Sequence, residues 1–219
     1  MKDLLVICPT RERPLVFEEM LKSFIKNTSP KTVLLVVIDQ DDPTLEEYMK
    51  IIHKDVIYRI QPRCTITEIF NQSYLTYPHY KFYSCTNDDF VYHTPHWDLK
   101  LMEKDGISYG NDLFQGQNLP TTSVISGDIV RRLGWLQNPQ LGNLYGDQTW
   151  KIIGETLNCL YYRDDVIIEH KHVFTGKAKT DNIYQQTNSS ASYQRDREKF
   201  IKWLVTQYHL DIERIKNAS

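Results

Sequence analysis

Apolar residues fall along the chain in blocks of two kinds, and the kind decides the element. Residues 4–8, Leu-Leu-Val-Ile-Cys, form an unbroken apolar run closed by Pro9, as expected of a strand buried on both faces. Phe17, Met20, Leu21, Phe24 and Ile25 then recur at helical spacing, and the pattern stops between Asn27 and Pro30. Residues 33–38 are a second apolar run, rich in β-branched side chains, that leads into Asp39-Gln40-Asp41-Asp42-Pro43. A short amphipathic helix over 45–52, a weaker strand over 56–60, a helix over 65–75 and a strand over 80–85 follow. Apolar strands alternating with helices predict right-handed crossovers and a largely parallel α/β sheet.

Past Asp89 the rhythm changes. Short strands near 107–109 and 123–125 flank a polar loop at 110–120; helices follow near 128–133 and 147–157, then a strand at 166–169. Segment 172–192 is polar and aperiodic, which predicts a mobile loop. Phe200, Leu204 and Tyr208 restore a helical stripe over 193–208. No repeat or Pro/Gly/Ser-rich linker divides the chain, so one domain is expected over 1–219. Its parts are a nucleotide-type α/β layer to about residue 90, a mixed-sheet extension over 91–192, and a C-terminal helix over 193–219.

Composition narrows the class. Among 219 residues, 26 Lys and Arg nearly balance 28 Asp and Glu, which excludes a broadly basic nucleic-acid coat protein. The longest apolar run, 33–38, falls well short of the roughly 20 residues of a bilayer span, and residues 4–8 are too few for a signal-peptide core. Cys8, Cys64, Cys85 and Cys159 are scattered without a C-x-x-C pair, so neither a zinc site nor a disulfide framework is written here. The expectation is a soluble, reduced, cytoplasmic protein.

In open parallel sheets, ligands bind beyond the carboxyl ends of the strands. The first strand ends in Pro9-Thr10-Arg11-Glu12-Arg13-Pro14, the second in Asp39, and the fourth in Thr86-Asn87-Asp88-Asp89. Arg11 and Arg13 suit phosphate oxygens, because guanidinium forks make charge-assisted bidentate bonds. Adjacent carboxylates such as Asp88 and Asp89 repel, a cost offset when a divalent cation lies between them and an anionic ligand. A ligand-free turn also favours Asn and Asp. The loop Thr175-Gly176-Lys177-Ala178-Lys179 has the hinge and ammonium groups of a lid over a diphosphate, with an exposed polar loop as the alternative. Tyr92, His93, His96 and Trp97 are expected to pack the second half, with a stacking wall for a sugar or base as the alternative.

Residues 5–14, then Val36-Val37-Ile38-Asp39, then Asn87-Asp88-Asp89, resemble the nucleotide-sugar glycosyltransferases of the GT-A fold. Within them the likeness is to the inverting family 2 enzymes, typified by bacterial polysaccharide and cellulose-type synthases. Gly134-Trp135-Leu136 stands where that family has a Gly-Gly-Phe-like turn, and Tyr145-Gly146-Asp147-Gln148-Thr149-Trp150 where it has Glu-Asp before a helix. Val166-Ile167-Ile168-Glu169-His170 resembles its terminal strand ending in histidine. The likeness spans about residues 4–172, with two departures: Asn87 stands where a first Asp is common, and Gly146 where Glu is.

The resemblance implies a Rossmann-like α/β fold, a mixed and mostly parallel sheet flanked by helices, with residues to about 90 as the nucleotide-binding half and 91–192 as the acceptor half. It puts Pro9, Thr10, Arg11, Arg13, Asp39, Arg63, Asp88 and Lys177 around the donor nucleotide. Asp89, with His170 and His172, would hold Mg²⁺ or Mn²⁺, and Asp147 would be the general base that activates an acceptor hydroxyl. The alternative for Asp147 is a helix N-cap. The activity implied is transfer of a hexosyl or pentosyl group from a nucleoside-diphosphate sugar, with inversion, to an unidentified acceptor: a glycan, a small molecule or a modified nucleic-acid base. The rivals are a sugar-phosphate nucleotidyltransferase, disfavoured because Pro9–Pro14 lacks glycine, and a non-catalytic nucleotide- or carbohydrate-binding module. No membrane span is expected, and the C-terminal helix is expected to cover the sheet or to form a contact between subunits.

Overall fold

The computed structural model describes residues 2–177 and 180–217, apart from the side chain of Phe174. Eight strands form one sheet: β1 (Leu4–Thr10), β2 (Thr32–Asp39), β3 (Val56–Gln61), β4 (Phe82–Cys85), β5 (Phe90–Tyr92), β6 (Ile107–Asn111), β7 (Ser123–Ser126) and β8 (Leu160–His170). Their order is β3-β2-β1-β4-β7-β6-β8-β5. Pairings within the β3-β2-β1-β4 block are parallel, as is β6 with β8; β7 runs antiparallel to both neighbours, and β5 to β8. The helices are α1 (Pro14–Asn27), α2 (Leu45–Tyr48), α3 (Ile66–Thr76), α4 (Trp97–Leu101), α5 (Gly127–Leu133), α6 (Gly146–Thr156), α7 (Asn182–Thr187), α8 (Ser190–Thr206) and α9 (Tyr208–Asn217).

The sheet has an apolar layer on each face, and the period of two along β1 feeds both. Leu5 and Ile7 join Phe70, Trp150, Phe200 and Trp203 on one side; Leu4, Val6 and Cys8 join Phe17, Phe24 and Trp97 on the other. A strand that serves two layers must be apolar throughout, hence the unbroken run. Pro14 opens α1, where its missing N–H is not needed. The capping box between Thr65 and Glu68 opens α3.

Several expectations are corrected. The second helix is a single turn, α2. Ile25 lies at the rim of the α1 stripe and is exposed. The last strand is longer than expected because its first half pairs with β6 and its second with β5, with the register shifting between Gly110 and Asn111. The expected mobile loop 172–192 contains a 3-10 turn at Val173–Thr175, the helix α7 and the start of α8. Asp181 and Ser189 cap those two helices, so polar residues supplied the helix starts. The C-terminal helix breaks at Gln207, where Asp211 of α9 accepts from both Trp203 Nε1 and Gln207 Nε2 and turns the chain. Tyr92 and Trp97 pack inside as expected, while His93 reaches Glu169 at the surface. All four cysteines are free, and among the described residues no helix is long and apolar enough to cross a membrane.

Candidate active site

The turn after β1 is built by two outside side chains. Glu12 takes a left-handed backbone (φ 56°) and donates its N–H to Asp42 Oδ2 at 2.8 Å. Arg13 donates its N–H to the Tyr48 hydroxyl at 2.9 Å, and that hydroxyl lies 2.8 Å from Thr10 Oγ1. Thr10 in turn donates to Asp88 Oδ2 at 2.7 Å. The β1 and β4 ends are thus joined through a buried polar chain.

Both arginines expected at the phosphates sit on carboxylates. Arg11 Nη1 lies 3.2 Å from Asp39 Oδ2 and 2.7 Å from Asp41 Oδ1, with Arg63 Nε 4.0 Å from the same Asp39 oxygen. Arg13 bridges Asp88, at 3.3 Å, and Asp181, which it grips through Nε and Nη2 at 2.7 and 2.8 Å. A diphosphate here would have to share these guanidinium groups. Burial raises the Asp39 carboxyl despite the Arg11 bond. Asp88 is pushed up to about 6 by burial and by the charge of Asp89, against the pull of Arg13 and Thr10.

Asp89 and the end of β8 meet. His170 Nε2 lies 3.5 Å from Asp89 Oδ2, the imidazole stacks on Phe90 at 4.4 Å, and Lys171 donates its N–H to the Asp89 carbonyl. Burial opposes the imidazolium of His170, but Asp89, Asp112 and Asp147 outweigh it and raise its pKa. His172 packs edge-on to His170 at 4.9 Å and stacks on Phe114 at 4.8 Å. Burial and the charge of His170 hold it below the usual histidine range. Among the described residues no three His, Cys, Asp or Glu side chains converge as a metal-holding group. Asp89 Oδ1 and His170 Nδ1 are nevertheless buried without a hydrogen-bond partner. An orphaned carboxylate oxygen beside imidazoles fits a divalent cation whose remaining ligands come from a bound diphosphate.

Asp147 is the second residue of α6, so the capping alternative fails: the cap position belongs to Tyr145, in a left-handed backbone (φ 69°). Among the described residues the Asp147 carboxylate has neither a hydrogen bond nor an ion pair. Burial pushes it up to about 7; His170 opposes the rise and Asp112 adds to it. The charge of Asp147 also helps to raise the Cys85 thiol at the end of β4, which sets the two beside one another.

Lys177 is placed elsewhere. Its Nζ lies 2.6 Å from Glu169 Oε1, on a residue adjacent to His170 in the strand and therefore facing the other way. The lid residues Ala178 and Lys179 lie outside the described residues. Tyr48, Phe114, Asp112 and Asp181 were missed by sequence reasoning. Asp112 follows β6 directly and accepts the N–H groups of Phe114, Gln115 and Gly116, so the strand-end rule applied to β6 finds it. Asp181 carries no such signal. Cavities of about 240 and 420 Å³ lie away from this rim, beside Arg163 and beside Ile215.

No family model matches the sequence, and no curated protein does. Solved structures do match. A mannosyltransferase, PcManGT from Pyrobaculum calidifontis, in complex with GDP-Man and Mn²⁺, aligns over 98% of this chain and 73% of its own, with TM-score 0.59 and 10% identity. TarS 1-349 from S. aureus, in complex with UDP-GlcNAc, aligns over 99% of this chain and 72% of its own, with TM-score 0.64 and 13% identity. With its parallel β3-β2-β1-β4 block, its antiparallel β7 and its acidic turn after β4, the chain has the GT-A fold of the nucleotide-diphospho-sugar transferases.

Proposed function

We propose that this protein is a glycosyltransferase that moves a hexosyl or pentosyl group from a nucleoside-diphosphate sugar to an acceptor hydroxyl with inversion. The observation that carries the reading is Asp147: a carboxylate unpaired among the described residues, with a raised pKa and electrostatically coupled to His170; the fold is shared with proteins solved in complex with GDP-Man and with UDP-GlcNAc. As the acceptor oxygen bonds to the anomeric carbon, its proton passes to Asp147. The bond from that carbon to the diphosphate breaks, and its electron pair leaves with the nucleoside diphosphate. A free, partly exposed carboxylate near pH 7 is ionised enough to accept the proton and basic enough to hold it.

Thr10, Asp39 and Arg63 line the nucleotide end, and Arg11 and Arg13 exchange part of their carboxylate bonding for phosphate oxygens. Asp89 and His170, with His172 beside them, would hold a divalent cation, which when bound supplies positive charge against the leaving diphosphate.

The test is a donor screen. The protein is incubated with a panel of nucleotide sugars, Mn²⁺ and hydroxyl acceptors that include glycans and DNA with hydroxymethylated bases, with nucleoside-diphosphate release as the readout. Release that is lost in Asp147→Asn, with donor binding retained, supports the reading. Donor binding without release by the wild type under any condition favours a binding module and overturns it.

A further inference from the structure

The turn that leads into Asp147 is held from outside by α8. Asp196, on α8, is fully buried. Its carboxylate accepts the backbone N–H groups of Gly142, Asn143 and Leu144 at 3.3, 2.9 and 2.9 Å. Consecutive N–H groups that converge on one carboxylate form an anion-binding concavity, here filled by the protein itself. Burial works against this carboxylate, yet the Leu144 and Asn143 bonds together with Arg195 hold it below the usual range.

Two further contacts fix the same turn. The Gly142 carbonyl accepts the N–H of Thr67 from the first turn of α3 at 3.3 Å. Tyr145, whose left-handed backbone ends the turn, stacks on Phe200 of α8 at 5.1 Å. A Cβ at Gly142 would meet Arg195 Nη2 at 3.2 Å and the Asp196 oxygens at 3.3 and 3.4 Å, so a larger residue there would press on the same carboxylate. Asp147 follows two residues after Tyr145, and among the described residues its carboxylate has no hydrogen bond or ion pair to fix its place.

We propose that Asp196 is a positioning residue for Asp147: by capturing the three N–H groups of 142–144 it sets the turn, and with it the place of the Asp147 carboxylate in the cleft. The claim rests on the role given to Asp147 above. The physical stake is large, because a displacement of about 1 Å at a reacting group can cost about 100-fold in rate.

The experiment compares Asp196→Asn, Gly142→Ala and a control, Asp211→Asn. Asp196→Asn keeps the shape but replaces an acceptor oxygen with a donor. Gly142→Ala presses on the same bonds from the backbone side, in case the first variant folds poorly. Asp211 is equally buried and bonds Trp203 and Gln207, so its variant loosens the C-terminal helices without touching the turn. Amide hydrogen exchange across 142–149 is measured first, since it needs no turnover. Exchange at 142–144 should quicken at least tenfold in Asp196→Asn and Gly142→Ala and stay unchanged in Asp211→Asn. For a donor found active, kcat should fall at least tenfold in the first two variants, with donor KM within about threefold of wild type and the control unaffected. Unchanged exchange at 142–144, faster exchange with unaltered kcat, or an equal loss of kcat in the control would overturn the proposal. Inactivity of the wild type toward every donor would count against the proposed reaction, while the exchange data would still decide the role of Asp196 at the turn.

Discussion

Arg13 and Asp181 are 168 positions apart and grip one another through two bonds, Nε to Oδ2 at 2.7 Å and Nη2 to Oδ1 at 2.8 Å. The same aspartate accepts the Tyr184 N–H and so caps α7. One side chain therefore both starts the helix and fastens it to the β1–α1 turn. Asp181→Ala removes a cap of about 1 kcal/mol and a partly exposed ion pair of at most about 1 kcal/mol. Limited proteolysis should cut faster between residues 172 and 188, with the melting temperature lowered by only a few degrees. Equal cleavage rates would show that the fork does not hold the segment.

Asp147 should govern the pH profile. Turnover by the proposed reaction should rise with pH through about 7, as the carboxyl loses its proton. Asp147→Asn should lower kcat by about 100- to 10,000-fold and abolish that rise. A wild-type profile flat from pH 5 to 8 would remove Asp147 from the role.

The same carboxyl affects stability, and its sign is opposite to that of a salt-bridged aspartate. Its folded pKa, about 7, lies above the unfolded value near 3.9, so the folded state binds the proton more tightly. Folding stability should fall as pH rises from about 4 to 7, and the penalty is complete above the folded pKa. Asp147→Asn should therefore melt higher than wild type at pH 8 and nearly level with it at pH 4. The gain is moderated because the group is partly exposed.

Thr10 is the bridge between Asp88 and Tyr48. Thr10→Val keeps the shape and removes the hydroxyl, which leaves a buried carboxylate short of a donor at a cost of about 1–3 kcal/mol. At about 2–4 °C per kcal/mol for a chain of this size, the melting temperature should drop by several degrees. A drop below one degree would mean that the chain from β1 to β4 carries little stability.

Asp89 should govern cation-linked donor binding. Calorimetric titration with UDP and GDP should show tighter binding with Mn²⁺ than with a chelator, and Asp89→Ala should erase the difference. A Mn²⁺ effect that survives in the variant would place the cation on other groups.

The sequence by itself determined most of the strands and the rim; the three-residue β5 and the first half of β8 were not legible in it. Short apolar runs such as 4–8 and 33–38, rich in β-branched residues and closed by polar or proline positions, predict a doubly covered strand, and the residues that follow them stand at the sheet's carboxyl edge by chain direction alone. Thr10, Asp39, Asp88 and Asp89 were legible for that reason, and Asp147 and His170 through the order of motifs. Only the tertiary structure decided who pairs with whom. Asp181 engages Arg13, Asp196 holds the turn before Asp147, and Lys177 turns to Glu169 and not to the cleft. Those are contacts between polar residues far apart in sequence, fixed by how helices settle on the sheet, and a local period carries no record of them. The segment 172–192 shows the same limit from the other side: its polar residues give no stripe, and its helices exist because caps and distant partners hold them.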